Sequence, residues 1–351
     1  MEDSEMETQV AASFFSKNRM FYRRLFTILL TVSLQNVVAY SVNMADNLML
    51  GSYSQVTLSG AATVNQIFFM VQQLSVGICD TLVIIGPQYW GRQNIRSLRK
   101  AGGCGLKLAA GGGLLIWALC LIFPSQLMAI FTTDASIASE GMAYMVIIKY
   151  TFVLFLITQA ILATLRCAET VRIAFIVSCV SLVVNVGINY CLIFGKFGLP
   201  EMGIRGAAIG TLIARIVELI IVLVYALKVD QKVGLFSENP MKKDPGISHD
   251  FSVLATQLLV LMAFLMVTMG YMMPVMNGIL RGGGDAKFTL YVNMISTWAV
   301  VVPLSFMSAF WWKLPVVWVV FFSQSDQVFK APIAFLRFRT YKWAKKLTRD
   351  N

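Results

Sequence analysis

The sequence has a single histidine, His249, among 351 residues. That scarcity excludes a serine-histidine-acid triad and any histidine-rich metal site. His249 lies in the polar stretch 228–250, where it reads as a solvated side chain. Charge is scarce as well. Charged residues make up 13% of the chain, against roughly 25% in soluble domains. Six cysteines (79, 104, 120, 167, 179, 191) lie in or beside apolar runs and none forms a CxxC pair. Buried thiols pack as small apolar groups, so neither a disulfide framework nor a zinc site is implied. A phosphate-cradling loop is missing too. The glycine-rich "ILRGGGDAKF" (279–288) has neither the GxxxxGK[ST] spacing nor a preceding strand, and reads as a turn at a membrane surface.

Apolar residues are abundant. They form 57% of the chain, with a mean hydropathy of +0.70. Runs of about 18 nearly uncharged residues mark spanning helices, and nine segments qualify: 25–49, 58–88, 101–123, 142–165, 173–194, 206–227, 253–280, 288–311 and 314–336. The fold class is therefore an all-α polytopic membrane protein. Five regions follow: an N-terminal tail at 1–24, a six-helix lobe at 25–227, a polar linker at 228–252, a shorter part of about three helices at 253–336, and a basic tail at 337–351. The acidic head "MEDSEMETQ" lacks the basic start of a cleaved signal, so the first helix is expected to direct insertion.

The net charge of +11 does not point to nucleic acid, because the cations alternate along the chain. Lys17, Arg19, Arg23 and Arg24 precede the first span, and Arg92, Arg96, Arg99 and Lys100 follow the second. The loops at 50–57 and 124–141 contain no lysine or arginine. This alternation follows the positive-inside rule and predicts a cytoplasmic N-terminus. The expected location is a plasma membrane of the bacterial inner-membrane kind.

Two stretches echo one another. "LRCAETVR" (165–172) and "LRGGGDAK" (280–287) each follow one apolar helix and precede another. They place Arg166 with Arg172 and Arg281 with Lys287, a pair of related turns expected on the cytoplasmic side. Internal pseudo-symmetry of this sort is common in secondary transporters. Polar residues inside the spans add to it. Asn36, Tyr40, Asn43, Asp46 and Asn47 recur at steps of three and four, Gln66, Gln73 and Asp80 at steps of seven, and Ser178, Ser181, Asn185 and Asn189 along a third helix. Asn36, Tyr40, Asn43, Gln66 and Gln73 are candidate cavity-lining residues. Polar groups at membrane depth either face a wet interior or hydrogen-bond between helices. Asp46 is the candidate for function, since apolar surroundings favour the protonated form of a carboxyl group. Lys149 is expected to snorkel outward.

"MADNLMLGSYSQVTLSGAA" (44–62), "IIGPQYWGRQN" (84–94), "GLPEMGIRGAAIGTLIARIVE" (198–218) and "ILRGGGDAKF" occur in the order seen in multidrug and toxic compound extrusion (MATE) transporters, which this chain resembles across most of residues 20 to 345. The resemblance implies a two-lobed helical bundle and no enzyme activity. It also implies efflux of organic cations or drug-like molecules, driven by a proton or sodium ion through alternating access. It needs no cofactor beyond that coupling ion and no resident metal, with sodium at Asp46 as the one candidate. Asp46 falls on the family's first-helix aspartate. Asn185 matches the asparagine of the pattern Asn-x-x-x-Asp, but Asn189 stands where the family has the aspartate, leaving one carboxylate fewer for sodium. Thr211, in "GAAIGT", is implied to line the same cation or proton site.

The second half departs further. Its three spans resemble the family's last three, and the linker enters them almost directly. Counting crossings puts "RGGGDAK" and the basic tail outside, whereas their charges favour the inside. The alternatives to an antiporter are a shortened homologue that needs a partner subunit to supply the missing helices, or a lipid or glycan flippase of related architecture. A membrane-embedded enzyme would need clustered acids or histidines near one membrane face, and the sequence has none. The expected partners are the lipid bilayer and small molecules, with no nucleic acid.

Overall fold

The structure, a computed structural model, describes residues 19–237, 245–280 and 283–341. Arg281 of the repeated turn and most of the basic tail lie outside the described residues. The described residues form helices α1 (Arg19–Tyr53), α2 (Gln55–Gly91), α3 (Ile95–Ile122), α4 (Pro124–Phe131), α5 (Ala135–Cys167), α6 (Arg172–Ile193) and α7 (Ile204–Val224). Helix α7 is extended by a π turn at Tyr225–Val229. Then follow α8 (Pro245–Met273), α9 (Ala286–Ile295), α10 (Val302–Phe306), α11 (Val316–Gln324) and α12 (Asp326–Arg339), with π turns at Pro274–Leu280, Ser296–Val301 and Met307–Trp311. Two π turns adjoin Pro274 and Pro303, each of which withholds an amide from the helical ladder.

Among the described residues, eight helical segments are long and apolar enough to cross a membrane, where the sequence suggests nine. The ninth, 314–336, is broken at Ser325 into α11 and α12. The Ser325 hydroxyl turns back to the Phe322 carbonyl (2.8 Å), and Asp326 opens the next helix. A polar step in the middle of the run thus divides it.

The chain forms two compact units. Unit 1 comprises Met1–Ile67 and Gly113–Glu238; unit 2 comprises Phe68–Gly112 and Asn239–Asn351.

In unit 1, α7 packs against both α5 and α6, and α1 packs against α6. The sequence Gly206-Ala-Ala-Ile-Gly210 permits the closest approach. A Cβ at Gly206 would lie 2.7 Å from the Leu192 carbonyl, and one at Gly210 would collide with the Asn189 side chain. Small residues one turn apart let helix backbones meet in this way. Phe152, Leu156, Ile161, Leu165 and Ile193 fill the interior. Asp134 caps α5 by accepting from the amides of Ser136 (2.8 Å) and Ile137 (3.3 Å). Lys149 does not snorkel. It is 7% exposed, with its ammonium 5.5 Å from the centre of the Tyr150 ring, an arrangement that gives a buried cation a partner without an acid.

In unit 2, Gly77 of α2 faces Leu259 of α8, with only 3.7 Å from a Cβ to the Leu259 Cα. One turn earlier on α2, Gln73 donates to the Met269 sulfur (3.4 Å), well further along α8. Both contacts require α8 to run antiparallel to α2. Met272, Met276, Leu280, Val292 and Ala334 form a small core. Asp285, beside the glycine-rich turn, accepts from Arg337 through Nε (2.8 Å) and Nη2 (2.6 Å). The turn and the end of α12 therefore lie together, at the end of unit 2 away from the turn after Gly91.

Candidate functional site

Helix α6 presents Ser181, Asn185 and Asn189 at steps of four, all buried. The glycines of α7 bring that face against Thr211, and α1 supplies Asp46 from the other side. Asn189 is fully buried, and its Nδ2 donates to Asp46 Oδ1 (2.7 Å) and to Asn185 Oδ1 (3.3 Å). Asn185 Nδ2 in turn donates to Thr211 Oγ1 (3.3 Å). Tyr144 of α5 lies beside Thr211. The amide of Asn189 must turn its nitrogen to the carboxylate, since two acceptors cannot pair. Its own Oδ1 is left buried and without a hydrogen bond among the described residues. The four residues expected to bind a cation or proton, Asp46, Asn185, Asn189 and Thr211, therefore meet.

Three groups escaped notice in the sequence. Tyr144 is one. The others are Arg215 and Glu218, one and two turns beyond Thr211 on α7. Arg215 lies within electrostatic reach of Asp46, yet its guanidinium is held by the Glu218 carboxylate (Nη1–Oε2 2.7 Å) and rests over the Phe155 ring (5.0 Å). For Arg215 and Glu218 the signal was available: two charges in the middle of a mostly apolar helix, on the same side as Thr211. Counted together, Asp46, Arg215 and Glu218 carry one net negative charge. Arginine and glutamate form an ion pair, whereas among the described residues the hydrogen bond to Asp46 comes from a neutral amide. Such a site suits a single incoming positive charge.

The remaining candidates lie elsewhere. Asn36, Tyr40 and Asn43 form an exposed face of α1, with Tyr40 74% exposed. Gln66 is exposed in unit 1, while Gln73 is buried in unit 2 against Met269. Arg166 is half-buried at the end of α5; Arg172, at the start of α6, and Lys287 are exposed. A cavity of about 760 Å³ in unit 1 is lined by Arg23 and Arg172 rather than by Asp46.

Residues 32–191 match the MatE family model, a segment containing Asp46, Asn185 and Asn189. A protein from Thermotoga maritima named as a probable multidrug resistance protein NorM is 30% identical over 195 residues, covering 56% of this chain and 42% of that protein. The chain thus spans less than half the length of that relative in the matched region. Among solved structures, a multidrug resistance MATE family transporter of the MOP superfamily in an outward-facing conformation matches with a TM-score of 0.65 at 15% identity, over 92% of this chain and 68% of that one. A MOP superfamily transporter from Pyrococcus furiosus matches with a TM-score of 0.66 at 15% identity and the same coverage. The likeness in structure concerns the fold, and the match in sequence concerns the segment that carries the site. Through residues 32–191 this multi-pass membrane protein is similar to the MATE family of transporters.

Proposed function

We propose that the chain is a cation-coupled multidrug efflux antiporter that works by alternating access, with Asp46 as the group that binds the coupling ion. The observation carrying this reading is the Asn189–Asp46 hydrogen bond (2.7 Å) beside an Arg215 already neutralised by Glu218. An isolated carboxylate inside an apolar bundle is costly. Binding a cation removes that charge and releases the Asn189 amide. If the ion binds one arrangement of α1, α6 and α7 better than another, it shifts their equilibrium, which is the requirement for coupling. A proton fits better than sodium. Sodium favours several oxygen ligands, whereas the amide nitrogen of Asn189 is turned toward the carboxylate and that of Asn185 toward Thr211. The substrates on this reading are organic cations or drug-like molecules, and the N-terminus is cytoplasmic.

The test uses purified protein in liposomes, a fluorescent organic cation, and an imposed pH or sodium gradient. The pH gradient is expected to move the dye, a sodium gradient alone is not, and Asp46→Asn should slow movement by at least about tenfold, the equivalent of ~1.4 kcal/mol. Dye movement absent in the parent overturns transport by this chain. Unchanged movement in Asp46→Asn overturns the role given to the carboxylate, and movement driven by sodium alone overturns the choice of ion.

A further inference from the structure

The cavity of about 760 Å³ in unit 1 is separate from the Asp46 site. Arg23, on its wall, is separated from Asp46 by roughly 34 Å of α1 at 1.5 Å per residue. Its volume falls within the range of small-ligand sites, about 300–1,000 Å³. Three elements each bring a cation to it: Arg23 from the start of α1, Arg172 from the first turn of α6, and Lys232 from the segment after α7. Among the described residues, none of the three has an acidic partner within ion-pair distance.

Two acids also line the cavity, Glu169 and Asp230. Asp230 is occupied. Its carboxylate accepts from the backbone amides of Lys232 (3.1 Å), Val233 (3.3 Å) and Gly234 (3.0 Å), which folds the segment back and brings the Lys232 side chain to the wall. The wall therefore carries three cations against two carboxylates, a net positive charge, and the amino-terminal end of α6 adds a partial positive charge. Tyr225 provides a hydroxyl, while that of Thr27 donates to the Arg23 carbonyl (2.8 Å). Planar guanidinium groups, an ammonium and a hydroxyl donor round one hollow match the oxygens of a phosphate group.

We infer that this cavity binds a phosphate group, with an anionic phospholipid headgroup as its source. Next to it α1 exposes Phe26, Leu29 and Leu30, an apolar strip along which acyl chains can lie while the headgroup reaches the cations. Basic clusters at a membrane surface attract anionic lipid in just this setting. The site is independent of the coupling ion, so its failure and the failure of transport are distinguishable.

The experiment places the full chain in nanodiscs of phosphatidylcholine, with or without phosphatidylglycerol. It reads the thermal unfolding midpoint and, by mass spectrometry, the lipid retained after extraction. Phosphatidylglycerol is expected to raise the midpoint and to be retained in preference to phosphatidylcholine. Arg172→Gln with Lys232→Gln should reduce that preference by at least about tenfold. Lys196→Gln with Arg205→Gln, which removes the same charge away from the cavity, should leave it unchanged. No preference in the parent, or an equal fall in both double variants, overturns the site. Inorganic phosphate that raises the midpoint of the parent in pure phosphatidylcholine as much as phosphatidylglycerol does overturns the lipid source.

Discussion

Units 1 and 2 both bury acids among apolar helices, and they neutralise them by different means. In unit 2 two acids each have a cation: Asp285 is gripped by Arg337 through two nitrogens, and Asp326 is bonded to Lys330 and to the Ser296 hydroxyl (2.8 Å). In unit 1, Glu218 takes Arg215 and Asp46 is left with an amide. An acid with its own fixed cation has no use for a mobile ion. An acid held by neutral donors stays open to one. The contrast separates a structural clasp from the proposed ion site, whose chemistry looks similar in the sequence.

The contrast breaks first, and most heavily, at Arg337. Its replacement by alanine leaves the Asp285 carboxylate, 3% exposed, without its cation. Loss of one partner of a buried pair costs about 3–5 kcal/mol, so Arg337→Ala should lower the thermal midpoint in detergent by many degrees. A midpoint near that of the parent would show that the clasp does not hold unit 2. Ser296→Ala comes next. It removes one of two partners of Asp326 while Lys330 remains, and a loss of about 1 kcal/mol is expected from denaturant unfolding. Asp46→Asn should change stability by less than about 1 kcal/mol, because the carboxamide oxygen can still accept from Asn189 and a buried charge is removed. Measured beside the transport assay, a large loss of stability would place Asp46 with the structural pairs of unit 2.

The smallest effect concerns Asp134, between the spans. Hydrogen bonds from the Ser136 hydroxyl and from the amides of Ser136 and Ile137 hold its carboxyl below the usual aspartate range. A depressed folded value means that the contribution is full above the unfolded value, about 3.9, and is lost as pH falls through the folded one. Between about pH 6 and pH 3, the parent's midpoint should therefore fall slightly further than that of Asp134→Ala. An equal fall would remove the cap from the account of α5.

Much of the architecture was legible along the chain. Apolar runs mark helices wherever water is excluded, and eight of the nine expected spans are long apolar helices. The exception, 314–336, has hydropathy enough, but Ser325 and Asp326 interrupt it. The site was legible in part. Steps of four on α6 placed Asn185 and Asn189 together, while the family resemblance brought Asp46 and Thr211 to them. Grouping Asp46 with Asn36, Tyr40 and Asn43 was less apt. At about 100° per residue those three share a face, and Asp46 is turned roughly 80° away from it, toward α6. Tyr144, Arg215 and Glu218 were missed because spacing along one helix does not say which neighbour it will meet.

The sequence by itself determined the helices and their passage through a membrane. Those properties depend on hydropathy and hydrogen bonds that each segment satisfies alone. The tertiary structure decided which polar groups meet. Only the close approach at Gly206 and Gly210 brings Thr211 to Asn185, and only packing between segments far apart in the chain gives Arg337 to Asp285 and leaves Asp46 to Asn189.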